Sequence, residues 1–216
     1  MASIDLRSKF GPVEQQGSGN ACVAHAVTSA LEATLEVQDL SRLFVYYNAR
    51  AIAGQQGSDA GCQPRNAVKG VQQLGAPSEA VWSYDYSKVL VKPSADAYDQ
   101  ALPLAKQIKA YQSVTSLAAM KQAMLAGQPV VVGLIVPDTF VSVTKYSGYL
   151  PMYTSATKWI GRHAVCTAGF DDDKGTVLLR NSFGPTWGNQ GYFEMPYAWF
   201  SNLTTYVSDA WTFVRA

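Results

Sequence analysis

The chain of 216 residues is 48% apolar and 15% charged, well under the ~25% charge of an average soluble protein, which excludes disorder and coiled coil. Seventeen basic against sixteen acidic residues leave a net charge of +1, too little for the phosphate contacts that dominate nucleic-acid affinity, so no nucleic-acid partner is expected. The longest apolar run, Val130 to Val136, falls far short of the ~20 residues of a membrane span, so no membrane role is expected.

From Cys22 to about Val37, apolar residues recur every three to four positions and predict a long buried helix. Ser41 as a cap before Arg42 to Ala53, closed by Gly54, predicts a second helix. Pro64 suits a first helical position, Ala67, Val68, Val71 and Leu74 form a stripe, and Gly75 ends this third helix. Segment 78–112 has no clear periodicity. Thr115 to Ala126, capped by Thr115, predicts a fourth helix. Beyond Pro129 the pattern turns to strands: Val130 to Val136, His163 to Phe170, Thr176 to Asn181, Gly191 to Met195 and Asp209 to Val214. The fold class is therefore α+β. A single domain over 1–216 is expected, with a mainly helical lobe at about 15–112, a mainly antiparallel β lobe at 113–216, terminal segments able to cross over, and a cleft between lobes.

Three cysteines, Cys22, Cys62 and Cys166, close at most one disulfide and leave a thiol over. Reduced thiols are expected, in the cytoplasm or after delivery by a route without an N-terminal signal, because residues 1–20 hold no apolar leader segment. Cys22 alone follows a turn-rich segment and opens a long helix, where unpaired N–H groups and the helix dipole favour a thiolate. There are two histidines to serve as its base. His25 lies at i+3 on the same helix, but within a run that points into the core. His163 starts an apolar strand whose end can face the cleft, and Asn181 ends the neighbouring strand, where its amide can orient the imidazole. Cys166, alternating on the His163 strand, reads as core.

Four motifs occur in order, within a stretch of likeness from about Ile4 to Val214: Asp5-Leu6-Arg7; Gln16-Gly17-Ser18 with Cys22; His163-Ala164-Val165; and Asn181 through Tyr192. Together they resemble the papain family of cysteine peptidases. The resemblance implies a two-lobed fold with a β-barrel-like C-terminal lobe, and peptide hydrolysis through an acyl-enzyme, without metal or organic cofactor. It implies Cys22 as nucleophile, His163 as base and then acid, Asn181 as orienter, and Gln16 with the Cys22 N–H as oxyanion hole. Gly61 and Cys62 fall at backbone partners of an extended substrate. Gln63, Pro64, Gly133 and Ala164 fall around the pocket for the side chain two before the scissile bond. Phe183 stands for the tryptophan that covers the Asn–His bond, with Trp187 in support. The expected partners are a peptide or protein substrate and a proteinaceous inhibitor or pro-segment, with the protein itself a monomer.

The chain departs from the family in three places. Gly19 and Asp59 replace both halves of a disulfide beside the nucleophile, as in disulfide-free microbial members. Cys62 stands where glycine is usual and reads as cleft wall, with an accessory redox or metal role as the alternative. Arg162, beside His163, is expected to disfavour an imidazolium if its head lies close. An effector protease acting on one protein target, a catalytically weak peptide-binding relative, and acyl transfer to an amine remain open beside general endopeptidase activity.

Overall fold

The computed structural model describes residues 2–201, 203 and 205–216. A short strand β1 (Ser3–Asp5) precedes helices α1 (Cys22–Leu35), α2 (Arg42–Ile52), α3 (Pro64–Leu74) and α4 (Ala95–Ala105). Strand β2 (Ile108–Ser113) and helix α5 (Leu117–Leu125) lead into β3 (Val130–Pro137), β4 (Trp159–Asp171), β5 (Thr176–Arg180), β6 (Tyr192–Pro196) and β7 (Val207–Arg215). Among the described residues no helix is long and apolar enough to cross a membrane.

The sheet is antiparallel, with strand path β2-β7-β3-β4-β5-β6 and β1 paired outside it to β4. Side-chain alternation on its central strands separates two cores. Val131 on β3 and Ala164 and Cys166 on β4 pack with the helices, under Ala24, Val27 and Leu31 of α1. Val130, Val132, Leu134 and Val165 point to the other face, against Phe170, Phe193 and Trp199. Strands β3 and β4 are thus the wall between the lobes, and α1, buried from Val23 to Leu35, lies along it.

The local signals account for most of these boundaries. Ser41 Oγ accepts from Phe44 N at 3.2 Å and caps α2. Pro64 opens α3, and Gly75 ends it at φ +74°. Helix α1 stops at Leu35, short of the expected Val37, because Glu36 turns left-handed at φ +59°. The cap of α5 is Ser116, which accepts from Ala119 N, and not the expected Thr115.

Segment 78–112 holds two elements without a sequence signal. Helix α4 buries only Ala97, Ala101 and Leu104, a stripe too small to read as amphipathic, and it carries Pro103. Strand β2 runs through the expected division at 112/113, so the sheet takes up the chain from Ile108; its pairing with β7, about a hundred residues later, is what makes it a strand. The N-terminal strand β1 joins β4 of the β lobe, and β7 lies between β2 and β3.

Candidate active site

Cys22 is the first residue of α1, and the preceding Ala21 brings no capping side chain. The first-turn N–H groups are therefore left for whatever lies before the helix. The backbone N–H groups of Ala164, Val23 and Cys22 itself favour the thiolate at Cys22 Sγ, while burial pushes the thiol up more strongly. The Ala164 contact brings the start of α1 against β4 next to His163.

Exposure changes abruptly along β4: Trp159 to Arg162 are exposed, and His163 is the first of eight buried residues. His163 Nε2 donates to Asn181 Oδ1 at 2.7 Å. The same oxygen accepts from Ser182 N at 2.8 Å, and Asn181 N donates to Gly191 O, so the amide has one orientation that serves both donors. With Nε2 committed to Asn181, Nδ1 is the nitrogen left for a proton on the cleft side. Burial holds the imidazole at about 4, opposed by the Asn181 bond and reinforced by His25. Arg162 lines the cleft but is not among the groups that move His163.

The ring of Phe183 lies 4.9 Å from that of His163, and Trp187 meets Phe183 edge-on at 5.7 Å. Phe140 touches His163, Phe183 and Trp187, which makes it the centre of this shield. It lies in a 3-10 segment after β3, where sequence pattern offered no element to place it.

The open cleft has a volume of about 710 Å³ and is lined by Cys22, His163, Gly61, Cys62, Gln63, Pro64, Gly133 and Ala164. Strand β7 adds Ser208 and Asp209, which sequence reading had not placed there. Gly133 pairs with Ala164 on one side and Ser208 on the other. Its missing side chain allows this closeness, since a Cβ there would stand 3.1 Å from Ser208 O. Gly61 donates its N–H to Tyr46 Oη at 2.9 Å, whereas the Cys62 backbone has no hydrogen-bond partner among the described residues. Cys22, Cys62 and Cys166 are free thiols, and Cys166 is wholly buried on β4.

Gln16 lies outside that lining and is buried. Ser182 Oγ donates to its Oε1 at 2.6 Å, and its Nε2 donates to Gly19 O at 2.8 Å. Its amide is thus oriented, with one Nε2 hydrogen still free.

Positions 19 and 59 are joined without a disulfide. The Tyr86 ring fills the space beside Gly19, where any Cβ would overlap it. Tyr86 Oη donates to Asp59 at 2.9 Å and accepts from Asn20 N at 2.7 Å, and Tyr46 Oη also donates to Asp59. Replacing Gly19 with alanine therefore forces Tyr86 off this network, with an expected loss of about 1–3 kcal/mol in urea denaturation. An unchanged midpoint would show that the loop absorbs the methyl group.

Three buried groups set a pH dependence of stability. His25 and His163 are both held at about 4 against an ordinary 6.5, and Glu32 is raised by burial to about 7 from 4.5. Between pH 4.5 and 6.5 the unfolded chain carries both histidine protons and the folded one only the Glu32 proton. The unfolded state thus binds one more proton. Stability rises with pH over this window by about 1.4 kcal/mol per unit. Urea midpoints of a Cys22→Ala variant, which cannot digest itself, should climb from pH 4.5 to 6.5; a flat or falling series contradicts the burial of the histidines.

The strand expected to begin at His163 in fact begins at Trp159, so His163 lies within β4; there it lines the same cleft as Cys22, at the start of α1, and is bonded to Asn181, an arrangement that fits a papain-like cysteine protease. Residues 1–207 match the model of the papain family cysteine protease, and the chain belongs to that family, whose members are hydrolases. It is 36% identical over 214 residues to an uncharacterised peptidase C1-like protein of Acanthamoeba polyphaga mimivirus, covering 91% of this chain and 67% of that one. Against pro-cathepsin H of Bos taurus the identity is 28%, covering 88% of this chain and 58% of that protein. Among solved structures, xylellain, a cysteine protease from Xylella fastidiosa, superposes with a TM-score of 0.88 at 29% identity, over 99% of this chain and 86% of that one. The bromelain protease from Ananas comosus in complex with the E64 inhibitor shares the fold, with a TM-score of 0.70 at 20% identity over 98% of each chain.

Proposed function

We propose that the chain is a cysteine endopeptidase that hydrolyses peptide bonds through a Cys22–His163–Asn181 triad. The observation that carries this reading is the 2.7 Å bond from His163 Nε2 to Asn181, at the head of the cleft that holds Cys22. Burial penalises a lone charge on either the thiol or the imidazole. Passing the proton from Cys22 Sγ to His163 Nδ1 leaves the pair with no net charge, so thiolate and imidazolium stabilise each other when formed together.

The Cys22 thiolate attacks the scissile carbonyl carbon. The oxyanion is held by the Cys22 N–H and the free Nε2 hydrogen of Gln16, whose amide Ser182 and Gly19 orient. His163 gives its proton to the leaving amine, then takes one from the water that opens the thioester, which restores the Cys22 thiol. The free backbone edge at Cys62 supports an extended peptide bound along the cleft. Gln63, Pro64, Gly133 and Ala164 would surround the side chain two before the scissile bond, in a pocket roomy because of Gly133 and polar because of Gln63. Three free thiols support work in a reducing environment.

The test is intact mass and peptide mapping after exposure to an epoxysuccinyl inhibitor. A single adduct on Cys22, absent in His163→Ala, is expected. No adduct, or labelling of Cys62 instead, would remove the triad reading. Added amines should yield no conjugates with acyl donors; conjugates would point to acyl transfer.

A further inference from the structure

His25, set aside as a base, is buried on α1 one turn beyond Cys22. Its Nδ1 lies 3.2 Å from Glu14 Oε2, and Glu14 also ion-pairs with Arg42, which in turn binds Glu79. Donation from Nδ1 to a carboxylate leaves Nε2 as an acceptor in the neutral ring, and burial holds the ring neutral, at about 4. His25 Nε2 is buried and has no partner among the described residues. The same is true of Asn181 Nδ2, whose sister oxygen already serves His163 and Ser182.

These two residues line one small cavity, of about 10 Å³, together with Ser29 and Arg180. Such a volume admits about one water molecule, and a water needs two to four polar partners. The cavity offers a donor, Asn181 Nδ2, and an acceptor, His25 Nε2. It also offers the Ser29 hydroxyl, whose oxygen accepts from Arg180 Nε at 3.2 Å and whose hydrogen is free.

We infer that one buried water sits in this cavity, accepting from Asn181 Nδ2 and donating to His25 Nε2, so that His25 and Glu14 are positioning residues for Asn181. The consequence concerns the orientation of the Asn181 amide. Turned over, it would present its NH₂ to the His163 Nε2 and Ser182 N donors and its oxygen to the cavity. A water held by His25 accepts from the Nδ2 that His163 and Ser182 leave without a partner, so the productive orientation has every polar atom of the amide paired, whereas the turned-over amide sets its NH₂ against two N–H donors. The line His163, Asn181, water, His25, Glu14 then extends the site into the helical lobe. The inference rests on the roles proposed above for His163 and Asn181.

A crystal structure of the Cys22→Ala protein at atomic resolution should show a density peak about 2.6–3.2 Å from both His25 Nε2 and Asn181 Nδ2. A cavity without that peak overturns the inference. In the active enzyme, His25→Phe fills the ring's space but offers no acceptor, and its kcat should fall at least about tenfold with KM within about twofold. His25→Gln, which restores an acceptor at the same reach, should regain most of the loss. Equal kcat in all three proteins, or an equal loss in both variants, overturns the positioning role. Inhibitor labelling of the parent enzyme separates the two readings: without a Cys22 adduct the triad fails, whereas an adduct with no bridging water leaves the triad standing and removes only the water.

Discussion

A Cys22→Ala variant should fold and bind peptide but turn over at least about 10⁴-fold more slowly than the parent. In the proposed mechanism Cys22 Sγ is the atom that bonds to the substrate carbonyl, and neither other thiol is suited to replace it: Cys166 is buried on β4, and burial pushes Cys62 far up. His163→Ala should lose nearly as much, because in the proposed mechanism thiol and imidazole exchange one proton and act as a unit; the double variant should be hardly slower than either single one. Asn181→Ala should cost less, since it leaves the ring present but its Nε2 hydrogen without an acceptor. Steady-state rates on a fluorogenic peptide, with circular dichroism to check folding, decide the matter. Substantial turnover by Cys22→Ala would refute the nucleophile.

Arg180→Met should destabilise the protein by about 3–5 kcal/mol. Arg180 ends β5 with 3% of its surface exposed. Its guanidinium donates to Gly11 O, Pro12 O, Ser29 Oγ and Tyr192 Oη, and lies over the Phe10 ring. One side chain therefore fastens the N-terminal segment to α1 and to the sheet. Methionine fills the volume but leaves two carbonyls and two hydroxyls without their donor. Urea denaturation with an unchanged m-value reads the loss directly; a change under about 1 kcal/mol would mean that these groups find other partners. The segment so fastened runs on into Glu14 and Gln16, so the surviving folded enzyme should also show a reduced kcat.

Arg180 illustrates what sequence pattern misses. It stands next to Asn181, and nothing in Thr176-Val177-Leu178-Leu179-Arg180 separates a cation that anchors three segments from one in solvent. The same holds for Phe140 behind His163, for Tyr86 over Gly19, and for Asp209 in the cleft. Each works through partners dozens to more than a hundred residues away. The absence of a disulfide between positions 19 and 59 was legible, but the tyrosine and carboxylate that join them instead were not.

By itself the sequence determined those features that depend on neighbours along the chain. Apolar spacing, caps and terminal glycines placed α1, α2, α3 and the central strands, and the ordered motifs singled out Gln16, Cys22, His163 and Asn181. Tertiary structure alone decided which buried polar atoms pair and which face a cavity, since hydrogen-bond satisfaction is a property of groups brought together by folding. It made a strand of β2 by supplying β7, and a helix of α4 by supplying a surface on which Ala97 and Ala101 pack. It also turned His25 away from Cys22 and toward Glu14, because the face of α1 that carries it lies over the wall between the two lobes.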